Sequence, residues 1–151
     1  MPPSLVELDC RQTPLGELIL RKRRSPSLEG RAVFEVTLNG EFLMSSAVTA
    51  SEEGLATLAL NACEDGVGEV LIGGLGLGYT AAAVLRREGV RRVEVLELLQ
   101  PVIDWHRRRL LSVSDALEDD PRCSVIHADF FRHLADTAHD DGQRYDVILL
   151  D

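Results

Sequence analysis

Four glycines fall within six positions of Leu71-Ile72-Gly73-Gly74-Leu75-Gly76-Leu77-Gly78-Tyr79-Thr80. An apolar run enters the glycines and a helix-like run leaves them. Glycines let a backbone turn tightly and approach a ligand closely. The helix start behind them offers free N–H groups. Three carboxylates sit at matching places further on. Glu97 ends Arg92–Leu96, Asp129 follows Cys123–His127, and Asp151 follows Tyr145–Leu150. In an open parallel sheet such positions share one edge, outside which ligands bind. Each acid taken singly could instead cap the next helix, and Asp129 is well placed for that.

Glu97 lies about 20 residues beyond the loop, where a carboxylate takes the ribose hydroxyls of a nucleoside cofactor. The spacing Gly74-x-Gly76-x-Gly78 suits a ligand of the S-adenosylmethionine type. A dinucleotide pattern, Gly76-x-Gly78-x-x-Ala81, leaves Gly73 and Gly74 without a role. His106, His127, His133 and His139 share no metal-ligand spacing, so no metal is expected.

The elements that must position these residues are legible as alternation. Strands are expected at Glu69–Ile72, Arg92–Leu96, Cys123–His127 and Tyr145–Leu150. Helices are expected from Thr49 through Leu55, Leu58 and Leu60, and at Thr80–Arg87, Pro101–Leu111 and Phe130–Ala138. The first of these fades near Glu64-Asp65-Gly66. That order gives βαβ units and a parallel sheet covered on both faces. Upstream, residues 4–46 read as β-structure. Asn39-Gly40 joins Val33–Leu38 to Glu41–Met44 as a two-residue hairpin turn. Arg21–Ser27 reads as a basic, turn-rich break, either a phosphate site or a solvated loop. Trp105 is expected to pack its helix on the sheet, Arg107-Arg108-Arg109 to face solvent, and Cys123 to be buried.

The chain divides into a β-strand module at 1–48 and a Rossmann-like domain at 49–151. Its 151 residues are 45% hydrophobic and 27% charged, which is globular composition, not that of a disordered tail. Sixteen basic against twenty-five acidic residues leave a net charge of -9, which opposes nucleic-acid binding. Three distant cysteines suggest no disulfide framework and a reducing, cytoplasmic setting. No apolar stretch approaches the roughly 20 residues of a membrane helix.

The glycine loop, Val95-Leu96-Glu97-Leu98 with Pro101-Val102-Ile103, Asp120-Pro121-Arg122, His127-Ala128-Asp129 and Tyr145–Asp151 resemble the spermidine synthase family. More widely they resemble class I S-adenosylmethionine-dependent methyltransferases. The resemblance covers nearly the whole chain, including a small N-terminal β-hairpin module ending in Glu41-Phe42-Leu43. It implies a transferase using S-adenosylmethionine or its decarboxylated form, with aminopropyl transfer to an amine. It implies that Gly74, Gly76 and Gly78 pass under the methionine part. Glu97, with Leu98 beside it, would hold the ribose. Asp129 would accept from adenine with Phe130 beside the ring, and Asp151 would be the catalytic acid near the reacting amine.

The departures are specific. Leu77 stands where the family has an aspartate that pairs with the donor's amine. Met44-Ser45-Ser46 replaces a polar segment, and Leu99 replaces a second acid after Glu97. A methyltransferase acting on another acceptor, or a non-catalytic, truncated or dimerising domain of this fold, are the alternatives. Val147–Leu150 reads as an inner strand apolar on both faces. The chain is therefore expected to be a fragment or to form a homodimer through 145–151, with Asp151 frayed.

Overall fold

The computed structural model describes residues 5–63, 66–137, 142 and 144–151. Glu64, Asp65, Ala138 and His139 lie outside them. The chain forms two compact units, residues 1–49 and 50–151.

The first unit is a four-stranded antiparallel sheet in the order β1 (Leu5–Thr13), β2 (Gly16–Ser25), β3 (Arg31–Leu38), β4 (Glu41–Ser45). The expected hairpin is thus half of a larger meander. Asn39 and Gly40 both adopt positive φ, 53° and 80°, as a two-residue turn between twisted strands requires. Asn39 also ties this turn to the first one. Its Oδ1 accepts from Glu17 N at 2.9 Å and its Nδ2 donates to Leu15 O at 3.1 Å.

The basic segment is not a break. Arg21 to Ser25 continue β2 and pair in register with β3. Cross-strand partners engage three of the segment's four cations, two of them through carboxylates. Arg23 meets Glu35 at 2.7 Å, Arg21 meets Glu7 at 4.0 Å, and Lys22 Nζ lies 5.5 Å from the Phe34 ring centroid. The turn proper is Pro26–Leu28.

The second unit carries α1 (Ala50–Asn61), β5 (Glu69–Gly73), α2 (Tyr79–Leu85), β6 (Arg92–Glu97), α3 (Gln100–Arg107), α4 (Ser114–Glu118), β7 (Cys123–His127), α5 (Phe130–Thr137) and β8 (Val147–Leu150). All strand pairs are parallel, in the order β7-β6-β5-β8. The order reverses at β5, and the crevice beyond its carboxyl end is the ligand site of such sheets.

Two helices differ from expectation. The run from Pro101 to Leu111 stops at Arg107, and α4 follows as a separate short helix. Arg109 takes φ 55° there, and its guanidinium bonds Asp115 and Asp119 across the turn. Arg109 is therefore exposed but anchored. In α1, Ala56 and Leu60 face inward while Leu58 is 74% exposed.

Burial is uneven across the sheet. Val70, Leu71, Ile72, Val93 and Val95 are fully enclosed. The outer strands are not. In β8 only Leu149 is buried, while Ile148 and Leu150 are about half exposed. No residue of α5 is buried, and Cys123 in β7 is only partly so. β8 is an edge strand of this sheet, and among the described residues the apolar face that carries Ile148 and Leu150 is left partly uncovered.

The lower end of β8 is fastened by Asp146. Its Oδ2 accepts from Gly68 N and Glu69 N at 2.7 and 2.8 Å, which holds its carboxyl below the usual range. Tyr145 Oη donates to Glu94 Oε1 at 2.9 Å. Burial and this contact push the Tyr145 phenol up to about 12.

Trp105 is fully buried in α3, so truncating it leaves a large void. Trp105→Ala is expected to cost about 3–5 kcal/mol, read as a lower urea midpoint.

Candidate active site

The glycine loop links the end of β5 to the start of α2. Gly74, Gly76 and Gly78 have φ 99°, 51° and 90°. The alternating glycines are thus first a backbone requirement. Gly78 carries a second one. A Cβ there would lie 2.7 Å from His106 Cε1 and from Val113 Cγ2.

Glu97 is 7% exposed and fixes the loop. Its Oε2 accepts from Leu75 N at 2.9 Å and Gly76 N at 3.3 Å. Its Oε1 accepts from Leu99 N at 2.8 Å. A carboxylate has about four acceptor positions, so three protein donors leave little of it for a ribose diol.

Past β7, Asp129 caps α5, since its Oδ1 accepts from Arg132 N at 3.1 Å. Its second oxygen has no partner among the described residues. The Phe130 ring packs on Gly73, where a Cβ would come within 2.5 Å of it. Phe130 and Phe131 meet edge to face, with centroids 5.4 Å apart.

Asp151 is not frayed. Its N–H donates to Gly73 O at 2.9 Å, continuing the β5–β8 ladder. Its Oδ2 accepts from Thr80 Oγ1 at 2.8 Å. Burial raises its carboxyl above the usual value, against the Thr80 hydrogen bond, and the nearby Glu52 charge adds to the rise.

A cavity of ≈ 170 Å³ opens at this edge. Gly74, Leu98, Asp129, Phe130 and Asp151 line it, with Leu96, Phe131 and Leu150 among the other walls. Five of the residues singled out from sequence therefore converge. Gly76, Gly78 and Glu97 do not line it and act in the loop behind. The cavity's size and apolar walls suit a flat heterocycle better than a whole nucleoside, since complete ligand sites usually exceed about 300 Å³.

Sequence reasoning missed Thr80 and His106. Thr80 sits in the first turn of α2, directly after the loop, so its place was a usable signal. His106 gave no local signal, because the carbonyl it reaches, Gly76 O, lies 30 residues away in sequence.

The spermine/spermidine synthase domain family matches residues 49–151. The chain belongs to this family. Polyamine aminopropyltransferase 1 of Streptomyces coelicolor is 33% identical over 132 residues, 85% of this chain and 23% of that protein. A polyamine aminopropyltransferase of Pyrobaculum neutrophilum is 32% identical over 83 residues, 55% of this chain and 28% of that protein. The chain thus spans about a quarter of the length of these relatives. The crystal structure of spermidine synthase from Thermotoga maritima superposes with a TM-score of 0.76 at 23% identity, over 96% of this chain and 46% of that one. A spermidine synthase in complex with the transition state analogue AdoDATO gives 0.73 at 23% identity, over 95% of this chain and 45% of that one. These likenesses establish the spermidine synthase fold for both units.

Because Gly78 meets both a left-handed φ and a crowded floor, Gly78→Ala is expected to lose about 1–3 kcal/mol of stability, measured by thermal or urea denaturation.

Proposed function

We propose that this chain carries the nucleoside-binding part of an aminopropyltransferase that takes decarboxylated S-adenosylmethionine or S-adenosylmethionine. The observation that carries the reading is the single cavity edge shared by Gly74, Leu98, Asp129, Phe130 and Asp151. Phe130 and Leu98 supply apolar walls for adenine, and the second oxygen of Asp129 supplies an acceptor for its amino group. Glu97 acts chiefly by shaping the loop, with its remaining acceptor position for a ribose hydroxyl. Gly74, Gly76 and Gly78 carry the backbone past the methionine-derived chain.

The donor supplies a carbon beside a sulfonium. An amine forms the new C–N bond as the C–S pair returns to sulfur, and the proton shed by nitrogen passes to Asp151. Asp151 suits that role because burial raises its proton affinity and Thr80 orients it.

Methyl transfer is the second reading, and Leu77 favours it. The Leu77 side chain is 8% exposed and offers no carboxylate to a cationic amine. A small-molecule amine is the leading acceptor. The cytoplasm is the proposed setting. The net charge of -9 fits a protein without nucleic-acid partners, and no helix among the described residues is long and apolar enough to cross a membrane.

Calorimetry with S-adenosylmethionine, its decarboxylated form, methylthioadenosine and NAD tests the assignment. An adenosyl sulfonium or thioether is expected to bind more tightly than NAD. Phe130→Ala should weaken that binding by about tenfold or more. Tighter binding of NAD overturns the reading. A preference of about a hundredfold for the decarboxylated donor would assign aminopropyl over methyl transfer.

The half-exposed Ile148 and Leu150 on β8 also support a homodimer through this edge. Light scattering is expected to give twice the chain's mass, and Ile148→Lys to give a monomer.

A further inference from the structure

His106 is fully buried, yet both ring nitrogens are engaged. Nε2 lies 2.9 Å from Gly76 O, a carbonyl that can only accept. The proton therefore sits on Nε2. Nδ1 lies 3.3 Å from Ser114 Oγ, and that hydroxyl in turn accepts from Leu111 N at 3.3 Å. Ser114 thus donates to Nδ1 and fixes the tautomer, as second partners of histidine do. Burial keeps the imidazole below its usual pKa, against the pull of the Gly76 hydrogen bond, which agrees with a neutral ring.

The contact falls on the one peptide of the loop where it has most consequence. Among the amides of Gly74 to Gly78, Gly74 N donates to Leu96 O and Gly78 N to Leu75 O. Leu75 N and Gly76 N donate to Glu97. Leu77 N–H alone has no partner among the described residues. Among the described residues no peptide bond is cis. In a trans peptide the C=O and the next N–H point in opposite directions. Holding Gly76 C=O onto His106 therefore turns Leu77 N–H away from the buried ring.

We propose that His106 is the positioning residue of the glycine loop, fixing the Gly76–Leu77 peptide so that Leu77 N–H remains a donor for the bound ligand. Glu97 holds the N–H side of Gly76 and His106 holds its C=O side. Ser114 of α4 sets the proton that makes the second hold possible. The part concerning the ligand rests on the adenosyl-binding reading above.

The test compares His106→Gln, which keeps a donor, with His106→Leu, which keeps bulk alone. Three readouts are taken on the whole chain: imidazole nitrogen–proton correlation by NMR, amide exchange at residues 75–78, and calorimetry with S-adenosylmethionine. The unaltered protein should show a neutral ring protonated at Nε2. His106→Leu should speed exchange and weaken ligand by about tenfold, and His106→Gln should restore both to within about threefold. If His106→Leu does not fold, His106→Asn, too short to reach the carbonyl, replaces it in the comparison. A proton on Nδ1, or equal behaviour of the Gln and non-donor variants, overturns the proposal. If Gln rescues exchange while the unaltered protein binds no S-adenosylmethionine, the adenosyl reading fails and the loop clamp stands.

Discussion

Glu97 places a nearly enclosed carboxylate at the end of a central strand, and a carboxylate there must find donors or lose its charge. It finds three backbone N–H groups, two from the glycine loop and one from the residue opening α3. The strand end, the loop and the next helix are thereby tied at one point. Gly74 can then run beside Asp151, whose carbonyl oxygen would be 2.8 Å from any Cβ at 74. Gly73 stays bare enough to take the Phe130 ring. The Glu97 hydrogen bonds thus hold the loop and the Leu98–Leu99 turn that border the cavity.

Around this point the acids diverge in what they do. From sequence, Glu97, Asp129 and Asp151 looked equivalent, each one step past a strand. In three dimensions Glu97 is spent mainly on backbone, Asp129 half on a helix cap, and Asp151 on a hydroxyl from α2. The number of donors each meets differs because different backbone segments and side chains reach each strand end: the glycine loop and Leu99 at Glu97, the first turn of α5 at Asp129, and Thr80 of α2 at Asp151. A repeating sequence position fixes which edge a residue occupies, not how many protein groups reach it first.

The parallel sheet and most helices were legible because their signals are local: apolar runs, glycine punctuation and a proline in a first turn. The misreadings have physical causes too. Arg21 to Ser25 looked like a loop because single-chain charge density hides the acids that pair across the sheet, Glu7 and Glu35. The end of α3 was overrun because Leu110 and Leu111 continue the apolar period, while the break lies in the positive φ of Arg109. Half of the candidate site was visible in the loop and its acids. Thr80 and His106 were not, since their roles come from contacts 71 and 30 residues away in sequence.

One feature of the first unit bears on how the protein ages. Asn39 precedes Gly40, a pair in which the glycine nitrogen can attack the asparagine carbonyl, expel ammonia and close a succinimide ring. In the fold that carboxamide is clamped at both ends, by Glu17 N and Leu15 O. Its carbon cannot turn toward the following nitrogen while both bonds persist. Chemical lifetime at this turn is therefore set by how often the sheet opens. Each opening exposes a bond whose rearrangement would insert an extra backbone carbon where the tight turn has no room for it.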